Sequence, residues 1–98
     1  MVRHILLLAP NPDTTPSQIE QIREELAALV GQIPGLLDFN WGVNFAAPER
    51  RGGFDYGFTM DLVDRQALVA YAPHPAHQTV AAKVRAAFGG IVVLDFEL

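Results

Sequence analysis

The chain has 98 residues, half of them hydrophobic and 18% charged, with no cysteine and a net charge of −4. Residues 1–98 make one domain, which buries somewhat over ~60% of its unfolded surface, and disulfides and thiolate metal sites are excluded. An acidic chain whose one tight basic pair is Arg50-Arg51 does not suit nucleic acid or an anionic membrane, and no run reaches the ~20 apolar residues of a membrane span.

Val2 to Leu8 is a short, nearly continuous apolar run closed by Pro10, and it reads as a strand buried on both faces. It is too short for an export signal, and no small-residue cleavage site follows, so the expected location is the cytoplasm. After a turn cluster at residues 10–14, Thr15-Pro16-Ser17-Gln18 predicts a helix start: Thr15 caps, Pro16 suits the first helical position and Gln18 completes a capping box. Ile19, Ile22, Leu26, Leu29, Val30 and Ile33 follow at helical spacing until Pro34-Gly35 ends the helix.

Leu37, Phe39, Trp41, Val43 and Phe45 alternate with polar or small residues, a period-two strand. Residues 46–55 read as a loop. Tyr56, Phe58, Met60 and Leu62 give a third strand. Asp64 caps a short helix to about Tyr71, a second helical stretch runs from about Pro75 to Phe88, Gly89-Gly90 turns the chain, and Ile91 to Phe96 is a last strand.

The order β-α-β-β-α-β predicts an α+β, ferredoxin-like fold with a four-stranded antiparallel sheet and both long helices on one face. The first and last strands are apolar on both sides, with Ile5 and Leu7 against Leu6 and Leu8, and Ile91 and Val93 against Val92 and Leu94. Two helices cover one face only. The other needs a partner, and a second copy of the same sheet is the simplest one, so a homodimer through the sheet face is expected.

Several segments then carry a family likeness. They are Arg3-His4-Ile5, Ile33-Pro34-Gly35, Trp41-Gly42, Tyr71-Ala72-Pro73-His74-Pro75-Ala76-His77 and the terminal Asp95-Phe96. Together they resemble the stress-responsive A/B barrel domain family across essentially the whole chain, and residues 71–77 are the most specific part. The resemblance implies a dimeric α/β-barrel. It also includes a branch of polyketide cyclases of the olivetolic-acid type, which close a ring by aldol condensation without metal or organic cofactor. Their catalytic Tyr and His match Tyr71 and His77, the supporting Asp matches Asp95, and a further pocket His matches His4.

Chemically, an aldol closure needs a base for a proton next to a carbonyl and a donor for the developing oxyanion. His77 suits the first task and Tyr71 the second, with Asp95 expected to fix the tautomer of His77. His4 lies on the side of its strand that carries Val2, Leu6 and Leu8. The same residues also fit a purely structural role, since a Tyr and a His before a core helix can cap it and Asp95 can be a packing partner. The functional alternatives are therefore a cofactor-free enzyme on a small apolar carbonyl compound, a non-catalytic ligand-binding or stress-related dimer, and a cofactor-free monooxygenase on the related fold. His74 and His77 are three apart, but Pro75 between them puts His74 outside the helix, so no metal site is expected. Trp41 and its aromatic neighbours at period two fit core or dimer interface better than a ligand pocket. Arg50-Arg51 reads as a solvated loop tip.

Overall fold

Two side chains and one proline set where the first helix begins. Gln18 N–H donates to Thr15 Oγ1 at 3.2 Å, while Thr15 N–H donates back to Gln18 Oε1 at 2.8 Å, with Pro16 at the first helical position. In the computed structural model, which describes residues 1–98, the elements are β1 (Val2–Pro10), α1 (Pro16–Ala27), β2 (Leu36–Val43), α2 (Pro48–Arg51), β3 (Tyr56–Leu62), α3 (Arg65–Tyr71), α4 (Pro75–Ala87) and β4 (Phe88–Glu97). The strands form one sheet in the order β2-β3-β1-β4, and every neighbouring pair is antiparallel. This is the expected ferredoxin-like arrangement.

Several boundaries differ from the sequence reading. The second strand is Leu36–Val43, bulged between Leu36 and Asp38 so that Leu36 is buried and Leu37 exposed, and Phe45 lies outside it. The first helix stops at Ala27, not Ile33. Beyond it the amides of Leu29, Val30 and Gln32 bond three residues back, and Gly31 takes φ +94°, a conformation a helix cannot continue through. Leu29 and Ile33 stay buried while Val30, the third residue of that spacing beyond the helix, is exposed, so the apolar spacing marks two of these three core positions but the wrong backbone. Residues 46–55 contain the single turn α2, opened by Pro48. Gly89-Gly90 is not a turn. It lies within β4, which starts directly at the end of α4. The last carbonyls of α4 are satisfied from the β1–α1 turn instead: Asn11 N–H and Thr14 Oγ1–H both reach Ala87 O, and the Asn11 side-chain amide reaches Ala86 O. The two glycines serve close approach, since a Cβ on Gly89 would stand 2.5 Å from Asn11 Oδ1 and one on Gly90 2.9 Å from the Ala9 Cβ.

The helix-facing side of the sheet carries Val2, Leu6 and Leu8 of β1, Phe39 and Trp41 of β2, and Phe58, Met60 and Leu62 of β3. All but Val2, which is buried outside this cluster, meet Ile22 and Leu26 of α1 and Val80 and Val84 of α4 in one continuous core. Leu8, Leu26, Met60, Leu62, Val80 and Phe88 are its largest fully buried side chains, each contributing about 1.5–3 kcal/mol of burial. Trp41 stacks on Phe58 at 6.2 Å and 10°, which places it in this aromatic layer.

The opposite face is apolar and uncovered. Leu7, Val92, Leu94 and Phe96 are each between 41% and 55% exposed, beside the bidentate Arg3–Asp61 ion pair at 2.8 and 3.0 Å. On the helix side, coverage thins at β4, the edge strand next to β1. Val93 is 53% exposed there, and the uncovered space between β4 and the helices is where the polar residues gather.

Candidate functional site

Asp64 starts the chain of contacts that builds the site. Its Oδ1 accepts from Ala67 N–H at 2.8 Å and caps α3, whose last residue, Tyr71, is 3% exposed. His74 then caps α4, its Nδ1 accepting from Ala76 N–H at 3.1 Å, with Pro75 at the first helical position. The connection is tightened by His74 N–H bonding Tyr71 O at 3.2 Å. So short a turn lays the first turn of α4 back on the end of α3. It brings the rings of Tyr71 and His77 to 4.1 Å between centroids, tilted by 39°.

His77 has a defined tautomer. Its Nδ1 lies 2.8 Å from Ala72 O, and a carbonyl oxygen can only accept, so Nδ1 carries the hydrogen. In the neutral ring Nε2 then holds the lone pair. Burial pushes the His77 imidazole below its ordinary value. The Ala72 bond opposes this, and His4, Arg85 and His74 add small positive contributions against protonation. The ring is therefore held neutral at physiological pH. Tyr71 moves the other way: burial pushes its phenol up, so it stays protonated and able to donate.

His4 reaches the same place from the sheet. It is directly opposite Asp95 in the β1–β4 register, and its Nδ1 lies 2.5 Å from Asp95 Oδ1. Its ring centroid is 5.8 Å from Tyr71 and 6.4 Å from Phe58. Tyr71 is thus flanked by both histidines. The expectation that Asp95 orients His77 is corrected here: Asp95 holds His4, and the backbone carbonyl of Ala72 holds His77.

These groups border an open cavity of about 430 Å³ between the sheet and the helices. Its wall is mostly apolar, with Leu6, Leu26, Phe58, Leu68, Ala81, Val84, Ile91 and Val93 around Tyr71, His77, His4 and Asp95. The space that the cyclase-type hypothesis required is open, not filled by side chains. An apolar wall with a few convergent polar groups is the usual form of a small-molecule site. Chemically it offers a neutral imidazole nitrogen, a protonated phenol beside it, and a second imidazole paired with a carboxylate.

The model of the family described as the stress responsive A/B barrel domain matches residues 2–98. The chain belongs to that family. Among relatives of this A/B barrel chain, the stress-response A/B barrel domain-containing protein HS1 of Arabidopsis thaliana is 26% identical over 96 residues, or 98% of this chain and 88% of HS1. Olivetolic acid cyclase of Cannabis sativa is 22% identical over 95 residues, covering 97% of this chain and 94% of the cyclase. A dimeric ferredoxin-like protein from Jannaschia sp. CCS1 superposes with a TM-score of 0.88 at 31% identity, over 99% of this chain and 98% of that one.

One wall residue of the A/B barrel cavity was not singled out from sequence. Arg85 stands on α4 with Val84, Ala81 and His77, at positions i, i+4, i+7 and i+8 counted from His77. That spacing defines one helix stripe. The signal was therefore present: a basic residue two turns beyond the candidate His, on the same face.

Proposed function

We propose that this A/B barrel protein is a homodimeric, cofactor-free acid–base enzyme of the aldol-cyclase type, acting on a small, largely apolar carbonyl compound. The observation that carries the reading is the Tyr71–His77 pair at 4.1 Å, with an unprotonated His77 Nε2, on the wall of an apolar cavity. His77 Nε2 takes a proton from the carbon next to a carbonyl. The resulting enolate carbon attacks a second carbonyl of the same molecule, and the Tyr71 hydroxyl donates to the oxyanion that forms. The proton on His77 then returns to that oxygen. Asp95 keeps His4 oriented beside the pair. The distant likeness to olivetolic acid cyclase supports this reading.

The dimer buries the open face, where Ile5, Leu7, Val92, Leu94 and Phe96 otherwise meet water. The dimeric state of the Jannaschia protein supports it.

Hydrogen–deuterium exchange at the α-carbon of an alkyl aryl ketone in D2O, followed by NMR, tests the chemistry. The wild-type protein is expected to accelerate exchange, and His77→Ala and Tyr71→Phe to lose the acceleration. Equal rates in wild type and His77→Ala would sink the enzyme reading. If that variant also binds ligand normally and only melts earlier, the protein is a ligand-binding dimer in which His77 is structural.

A further inference from the structure

Arg85 is the one cavity residue whose charge has no partner. Five ion pairs form in the chain, by Arg3, Arg23, Arg51, Arg65 and Lys83, His4 contacts Asp95, and none of these involves Arg85. No hydrogen bond of the chain uses its guanidinium either. The only carboxylate on the cavity wall, that of Asp95, is already engaged by His4. The cavity therefore presents an apolar wall, two imidazoles and, at its solvent-exposed rim, one guanidinium with no partner in the chain. A free arginine fork beside an apolar space is matched by a carboxylate, which accepts two parallel N–H bonds.

We propose that Arg85 is the anchor for a carboxylate on the cavity's ligand, so that the substrate class is an amphipathic keto acid: an apolar body, a carboxylate at Arg85 and a carbonyl at Tyr71 and His77. This rests on the functional reading above and names the substrate class of that site. The helix sets the separation of the two ends. Eight residues along α4 span about 12 Å at 1.5 Å per residue, so the carboxylate and the reacting carbonyl lie several bonds apart, at opposite ends of the ligand. The competing role for Arg85 is a favourable charge in the last turn of α4, where it interacts with the negative end of the helix. That role is indifferent to the ligand.

The test is a ratio of affinities, which cancels any general effect of a substitution on folding. Binding of 4-butylbenzoate and of its neutral analogue 4-butylbenzamide is measured by NMR titration on the full chain. The wild-type protein is expected to prefer the acid by about tenfold, the scale of a charge-assisted fork. Arg85→Gln should bring the ratio to about one by weakening the acid and leaving the amide unchanged, and Arg85→Lys should keep part of the preference. A wild-type ratio near one, a preference that survives Arg85→Gln, or no binding of either probe overturns the proposal. Ketone exchange run on the same samples separates the two claims. Exchange without acid preference removes only the role of Arg85, and acid preference without exchange removes only the enzyme.

Discussion

Asp95 pairs with His4 across the β1–β4 register, at 2.5 Å, and does not reach the histidine it was expected to orient. Directly opposed residues of an antiparallel pair share a face and stand close together, so His4 and Asp95 meet by virtue of the register alone. His77 sits on another layer, with its Nδ1 hydrogen already given to Ala72 O. The two imidazoles therefore have separate supports. Asp95→Asn should leave the pH dependence of His77 unchanged while costing about 1 kcal/mol of stability through the His4 contact. A pH–rate profile of Asp95→Asn shifted on its acid side would show instead that the carboxylate acts on His77.

Removing the base and removing the donor should give different kinetic signatures. His77→Gln should lower kcat by about 10²- to 10⁴-fold, the usual contribution of a positioned base. Tyr71→Phe keeps the ring that packs on His77 and removes only the hydroxyl. It should lower kcat by about 10²-fold with KM little changed, because an oxyanion donor acts mainly in the transition state. A Tyr71→Phe variant with raised KM and unchanged kcat would make the hydroxyl a ground-state binding group.

The depressed His77 value fixes the sign of two pH effects. Its ordinary value is 6.5 and burial lowers it in the folded chain, so the acid limb of kcat/KM should lie below 6.5. The unfolded chain takes up this proton at higher pH than the folded one. His77 therefore contributes stability that is complete above 6.5 and is lost as pH falls through the folded value. Asp61 acts in a separate, lower window. The hydrogen bond from Arg3 holds its carboxyl below the ordinary 3.8, so its stabilisation is present above that value and lost on stronger acidification. Thermal melts from neutral pH down to about pH 5 should thus flatten in His77→Gln and keep their slope in Arg3→Gln. The opposite pattern would assign the first window to a group other than His77.

Legibility in the sequence followed the range of the interactions. The capping box of Thr15 and Gln18 and the alternation of Tyr56, Phe58, Met60 and Leu62 are local patterns, and both are found where the sequence places them, whereas in β2 a bulge at Leu37 buries Leu36 in its stead and Phe45 lies beyond the strand. Gly89 and Gly90 look like a turn in the sequence, but their reason is not local: they make room for Asn11 and Ala9, about eighty residues earlier. Asp95 pairs with His4 and not His77 because cross-strand register, which places His4 opposite it, is a property of the sheet and not of any local pattern. The helical spacing of Arg85 from His77 is visible in the sequence, but nothing in the sequence says that this stripe borders open space.

The uncovered sheet face makes the last prediction, and it is independent of catalysis. Leu94 stands opposite Ile5 in the β1–β4 register, in the middle of an apolar strip flanked by Val92 and Phe96. Its side chain is 55% exposed in the single chain, so a charge there costs the isolated fold little. In a face-to-face dimer the same charge would be buried without a partner, at a cost of several kcal/mol. Leu94→Glu should therefore sediment as a folded monomer of 10.7 kDa at micromolar concentration, while the wild type sediments at twice that mass. The melting temperature of the wild type should also rise with protein concentration and that of the variant should not, because only a dimer couples folding to mass action. A wild-type chain that is monomeric under these conditions, or a Leu94→Glu variant that stays dimeric, would mean that some other surface, or none, joins the copies.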